Sequence, residues 1–171
     1  MAQGLSRRDI ERYLKLLGQR LLARGSRADI LLAGGAAMVL LLNAREATKD
    51  IDAYFSGDVD ALRTEVSAIA NEFNLRPDWL NDGIKGFFFK APPQTLWADY
   101  PGLRVYTVGL DYLLAMKVLA LRNRQDEEDA KALVDRLGLT TAEEVMAIVT
   151  KYVPRELLTL RVQYAAEGLF D

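Results

Sequence analysis

The chain has 171 residues, half of them hydrophobic, and a formal net charge of −2. That supports one domain, or one domain with a helical appendage, and provides no global basic field of the kind that announces nucleic-acid binding. It contains neither cysteine nor histidine. Zinc–thiolate sites, disulfide frameworks, thiol or serine–histidine nucleophiles and imidazole bases are therefore excluded, leaving chemistry to carboxylates, Lys, Arg, Tyr or an oxygen-bound metal.

Arg7, Arg8, Asp9 and Glu11 interrupt the N-terminal stretch before it can take signal-peptide form. No run reaches the roughly 20 apolar residues of a membrane span, so the expectation is a cytoplasmic protein that enters no membrane. Ser6 reads as an N-cap, and Ile10, Tyr13, Leu14, Leu17, Leu21 and Leu22 then keep helical spacing up to Gly25. The apolar run Ile30-Leu31-Leu32-Ala33 reads as a buried strand over 29–33, and Gly34-Gly35 leads from it into a helix over 36–43. A polar connector, 43–49, precedes a strand over 50–55, with Tyr54 and Phe55 taken as core. The next helix follows Ser56-Gly57-Asp58 and puts Leu62, Val66, Ile69, Ala70 and Phe73 on one face.

Phe87-Phe88-Phe89 predicts a short strand between Gly86 and Pro92-Pro93, and 103–108 predicts another, with Gly109 as a hinge. Helices are expected over 110–121, over 126–137 ending at Gly138, and from a Thr141/Glu144 capping box to about Tyr152. Pro154 is placed at the first position of a last helix. The expected class is α/β: a small mixed sheet with an N-terminal helix in 1–108, and a C-terminal helical subdomain, 109–171, packed on it. The active cleft is expected between the two.

Asp50-Ile51-Asp52 carries the strongest chemical signal. On a strand, residues i and i+2 share a face about 6–7 Å apart, and two like charges there call for a cation. A hard divalent ion, Mg²⁺ or Mn²⁺, takes carboxylate and phosphate oxygens together. Gly34-Gly35 at a helix N-terminus exposes backbone N–H groups that can seat a triphosphate, and no Walker lysine follows. Taken alone, Asp-x-Asp is as often a polar strand entrance as a metal site. Arg45 and Lys49, just before Asp50, could contact phosphate or an acceptor nucleic acid, although a solvated loop is the plainer reading. Lys117 stands among the apolar Leu113, Leu114, Ala120 and Leu121, so its ammonium reaches either solvent or a partner such as Asp126 or Asp129, which share one helix face.

A strand, Gly-Gly, a helix, and then Asp-hydrophobic-Asp on the next strand resembles the nucleotidyltransferase superfamily typified by polymerase β. The segment Asp111 to Lys117, followed by Asp126 and Asp129, is similar to the lysine-plus-acidic helical signature of the small bacterial AbiE-toxin-type members. The resemblance implies Mg²⁺-dependent transfer of a nucleotide from an NTP to an RNA or protein hydroxyl, in a toxin–antitoxin setting with a cognate antitoxin as partner. It implies Asp50 and Asp52 as metal ligands and Gly34, Gly35 and Lys49 as nucleotide contacts. Lys117, Asp126 and Asp129 complete the implied catalytic set.

One departure stands out. Active members carry a third carboxylate on a later strand, and the strands expected here contain no acid, with Asp82 and Asp99 assigned to loops. Two rivals therefore stay open: a non-catalytic binding module of the same fold, and a glycosyltransferase using Asp50 and Asp52, for which the chain is short.

Overall fold

The computed structural model describes residues 4–43, 45–87 and 91–171. It divides into two units, Met1–Lys85 with Gln94–Thr107, and Gly86–Pro93 with Val108–Asp171. As expected, the class is α/β with a small mixed sheet and C-terminal helices.

In the first unit, β1 (Leu5–Ser6) leads into α1 (Arg7–Ala23), β2 (Ala28–Ala33) and α2 (Gly34–Leu42). Then come β3 (Ala47–Thr48), β4 (Ile51–Gly57), α3 (Val59–Phe73), β5 (Leu80–Asn81), β6 (Gln94–Tyr100) and β7 (Leu103–Val108). Helix α1 starts at a capping box in which the Ser6 hydroxyl accepts from the Asp9 N–H and the Asp9 carboxylate accepts from the Ser6 N–H, satisfying two donors that the first turn leaves open.

The main sheet runs β5-β4-β2-β7-β6. Strand β2 is antiparallel to β4 and parallel to β7. Alternation divides its residues between two faces. Ala28, Ile30 and Leu32 of β2, Ile51, Ala53 and Phe55 of β4, and Leu103 and Val105 of β7 join a core with Leu14, Leu17 and Leu21 of α1 and Leu62, Val66 and Ile69 of α3. Each such fully buried aliphatic contributes roughly 1.5–3 kcal/mol. Trp79 closes that core, its indole N–H donating to the Val66 carbonyl at 2.9 Å. The other face carries Asp29, Leu31 and Ala33 of β2, Asp52, Tyr54 and Ser56 of β4, and Arg104 and Tyr106 of β7, by the same alternation. Tyr54 is therefore not core: it is 45% exposed, because its neighbour Phe55 takes the inward position.

The second unit is built on α4 (Leu110–Ala120), whose Tyr112, Leu113, Leu114, Ala115 and Val118 are all buried. It is apolar nearly all round and packs against α5 (Arg124–Leu137), α6 (Ala142–Tyr152) and α7 (Leu160–Gly168). Caps set the boundaries: Asn123 accepts from the Asp126 N–H, and Thr141 and Glu144 form the expected capping box.

Several expectations change. The strand expected at 50 begins at Ile51, whose N–H is taken by the Trp79 carbonyl at 2.7 Å, and Asp50 lies in the bend before it. Phe87 ends a 3-10 turn, Gly83–Phe87, instead of opening a strand; Phe88 and Phe89 lie outside the described residues. Strand β6 is a seven-residue element where the sequence predicts a loop. Pro154 precedes a 3-10 turn, Arg155–Leu157, and the last helix starts later, capped by the Thr159 side chain.

Candidate functional site

The turn from β2 into α2 is made by Gly34 at φ +62°, a left-handed conformation that side chains rarely adopt. A Cβ at this position would lie 2.8 Å from Asp52 Oδ2, so the glycine makes room for the carboxylate to reach the start of the helix. Asp52 is opposite Ala33 in the antiparallel register, which puts it one residue from the turn. Gly35 has a matching role: a Cβ there would run into the Arg45 guanidinium and the Thr48 hydroxyl. Ala33 at the N-cap offers no side-chain acceptor, so the first-turn N–H groups of α2 are not capped from within their own motif. The structure thus gathers Gly34, Gly35, Asp52, Arg45 and Thr48 at one corner of the sheet.

Asp50 stands beside that corner in a less favourable environment. Burial raises its carboxyl above the ordinary carboxylate value and the Asp78 charge raises it further, while Arg76 and Lys49 pull it down without prevailing. The Thr48 hydroxyl donates to the Asp50 carbonyl at 3.1 Å, fixing the bend. Lys49 is exposed and acts on Asp50 through its charge.

This donor set suits a hard divalent cation. It consists of aspartate oxygens with a hydroxyl nearby, and the glycine cradle would be filled by any Cβ. Among the described residues no group of three or more His, Cys, Asp or Glu side chains converges as a metal cluster; Asp50 and Asp52 are the carboxylates that would hold an ion here. Oxygens of a substrate phosphate would complete such a shell.

The missing third carboxylate can be located more closely. An acid does stand on a later strand, since Asp99 belongs to β6, which corrects its assignment to a loop. It cannot serve Asp52, however. Asp99 lines a cavity of about 460 Å³ with Asp29, Gly57 and Arg104, at the end of β2 away from Ala33. From Asp29 to Ala33 the strand advances about 13 Å. At this far end Asp29 is matched by Arg104, whose Nε and Nη2 donate to the two carboxylate oxygens at 2.8 Å each. Asp82 stays in a loop and pairs with Arg63.

The second unit holds its own charged group. Lys117 Nζ lies 3.2 Å from Asp126 Oδ1 and 2.8 Å from Asp129 Oδ2, with its side chain 13% exposed. Asp126 and Asp129 are themselves 5% and 2% exposed. The Asp129 carboxylate also accepts from the Gln125 amide at 2.9 Å, and Asp126 accepts from the Arg122 N–H at 3.1 Å. Burial pushes the Asp126 carboxyl up, but the Arg122 N–H bond and the Lys117 ammonium outweigh it and hold it below the ordinary value. Nearby, Tyr112 stacks edge-on against Tyr152 at 5.0 Å; burial, helped by Tyr152, pushes its phenol up to about 12, so it stays protonated at neutral pH.

The profile of a family described as nucleotidyltransferase of unknown function (DUF6036) matches residues 12–156. The chain belongs to this family. No curated protein matches it. The match takes in the Gly34-Gly35 turn, Asp50 and Asp52, and also Lys117, Asp126 and Asp129. Within this nucleotidyltransferase, the fold brings the Arg45 and Thr48 side chains beside Gly35, which a polar connector does not reveal in sequence. Thr48 is set opposite Leu5 by the short β1–β3 pairing, and a two-residue pairing leaves no periodicity in sequence. Among the described residues, no helix is long and apolar enough to cross a membrane.

Proposed function

We propose that the protein transfers a nucleotide from an NTP to a hydroxyl of RNA or protein, with magnesium or manganese as cofactor, and that it belongs with the AbiE-toxin-type branch, where a cognate antitoxin would be its partner. The observation that carries this reading is Gly34: its left-handed turn and missing Cβ let the Asp52 carboxylate stand at the start of α2, where the N-cap residue Ala33 makes no side-chain cap. A carboxylate beside the first-turn N–H groups of a helix is electrostatically suited to a shared guest, a triphosphate with its cation.

Asp50 and Asp52 would hold the metal, which when bound supplies charge neutralisation on the phosphates and on the leaving pyrophosphate. Gly34 and Gly35 would seat the triphosphate through their N–H groups, with Arg45 and Lys49 adding positive charge on the same side. In the transfer, the acceptor oxygen forms a bond to the α-phosphorus, the bond from that phosphorus to the bridging oxygen breaks, and pyrophosphate leaves. In the second unit Asp126 and Asp129 hold the Lys117 ammonium in place, and either carboxylate is proposed to orient or deprotonate the acceptor hydroxyl.

The second reading, a binding module without catalysis, draws on Asp99 lying at the far end of β2 from Asp52. A labelling assay separates the two. Protein, magnesium and each α-³²P-labelled NTP are incubated with total RNA and with a protein extract. Label transferred by wild type and lost in Asp52→Asn is the expected result; binding of NTP with no transfer to any acceptor favours the module.

A further inference from the structure

Four of the seven large hydrophobic side chains exposed among the described residues lie between 157 and 170 in the second unit: Leu157, Leu160, Tyr164 and Phe170. Leu160 and Tyr164, on α7, are the most exposed of the seven, at 68% and 63%. Single exposed hydrophobics need no explanation, whereas a group of them marks a surface with a use.

Helical geometry sorts α7 into two faces. Val162, Ala166 and, just past the helix end, Leu169 are buried. At about 100° per residue, Leu160, Arg161, Glu167 and Gly168 all project within about 60° of Tyr164, away from that buried side. Arg161 and Glu167 are exposed. A Cβ added at Gly168 would meet nothing within 4 Å, so this position is an open notch in the face. The Arg161 guanidinium donates to the Leu121 carbonyl at 2.7 Å, which holds it at one edge of the face, and its fork carries further donors. At the other edge Glu167 accepts from the Gln163 amide through Oε1 at 3.4 Å.

We propose that this face is the contact between two copies of the chain, with the two α7 helices antiparallel about a two-fold axis at Tyr164. The residue order is self-complementary about that point, because positions equally far before and after Tyr164 face each other in such a pair. Arg161 meets Glu167 of the second copy, an opposite charge. Leu160 meets Gly168 of the second copy, and each leucine enters the notch left by the missing side chain. Tyr164 meets its own counterpart, ring against ring. Each pair occurs twice, as an isologous contact requires. Had 161 and 167 carried one sign of charge, or 160 and 168 both been bulky, the same symmetry would have set the helix against its own copy. One short helix buries less than a permanent dimer needs, so the association is weak and concentration-dependent.

The test is sedimentation equilibrium of the whole chain from about 5 μM to about 500 μM, on wild type, Leu160→Ser, Arg161→Glu and Glu167→Arg, with circular dichroism to establish that each is folded. Wild type is expected to move from 19.1 kDa towards twice that mass across the range. Each variant is expected to weaken association about tenfold or more. Leu160→Ser empties the notch, and either charge variant sets like charges against each other at both ends. An equimolar mixture of Arg161→Glu and Glu167→Arg puts opposite charges together again at both ends and should associate nearly as wild type does. Wild type that stays monomeric at the highest concentration overturns the proposal and leaves the face to a different partner. Dimerisation unchanged in both charge variants, or a mixture that associates no better than its components, overturns it as well.

Discussion

Two pairs of aspartates in this molecule are held in opposite ways. Asp126 and Asp129 come with their cation: Lys117 sits within 3.2 Å of both, and the Asp126 carboxyl is held below its ordinary value. Asp50, in the pair with Asp52, is pushed the other way by burial and by Asp78, and Asp52 is admitted to the start of α2 only because Gly34 has no side chain. The Lys117 group brings its counter-charge from its own fold, whereas at Asp50, where burial disfavours the charged form, a cation from solution has most to gain.

The sharpest way to break the comparison is at Lys117. Lys117→Met leaves two buried carboxylates facing each other, and we expect a loss of about 3–5 kcal/mol in urea unfolding. Adding Asp126→Asn and Asp129→Asn to the same chain should recover most of it; failure to recover would mean that the lysine stem, not its charge, is what matters.

Gly34→Ala comes next. The left-handed backbone and the clash with Asp52 together should cost about 1–3 kcal/mol and remove any nucleotide-induced stabilisation. Chemical denaturation with and without NTP and magnesium reads both effects.

The acid limb separates the pairs by sign. A carboxyl lowered in the folded state contributes stability that is complete above its unfolded value, near 3.9, and that is lost as pH falls through the folded value. Asp126→Asn should therefore flatten the loss of stability as pH falls below about 4, measured by urea midpoints across the acid range. An unchanged acid limb would remove Asp126 from the account.

The smallest effect is expected at Asp50. Asp50→Asn removes a charge that its surroundings disfavour, so without metal the protein should be as stable as wild type or slightly more so, by about 0.5 kcal/mol. A clear destabilisation would show that Asp50 has a structural partner of the Lys117 kind.

The strand–Gly-Gly–helix unit and the strand bearing Asp52 were legible because apolar runs and glycine punctuate them, and the need of Lys117 for a partner followed from its apolar neighbours alone. Strand β6 was not legible. It is an edge strand whose Gln94, Thr95, Leu96 and Asp99 are all exposed, so no inward–outward alternation marks it. Asp50 was misplaced by one residue for a related reason: the β4 start depends on a bond from Ile51 to Trp79, a contact distant in sequence. Tyr54 was taken as core because Tyr and Phe side by side look alike in hydropathy, whereas a strand must send them to opposite faces. Arg45 needed the fold itself, since only the return of the connector brings its guanidinium over Gly35.

The most direct measurement is a thermal-shift titration with each of the four NTPs, with and without magnesium, on wild type and Asp52→Asn. The account predicts a stabilisation that requires both NTP and metal and disappears in the variant. Equal shifts in the two proteins, or none with any nucleotide, would contradict it.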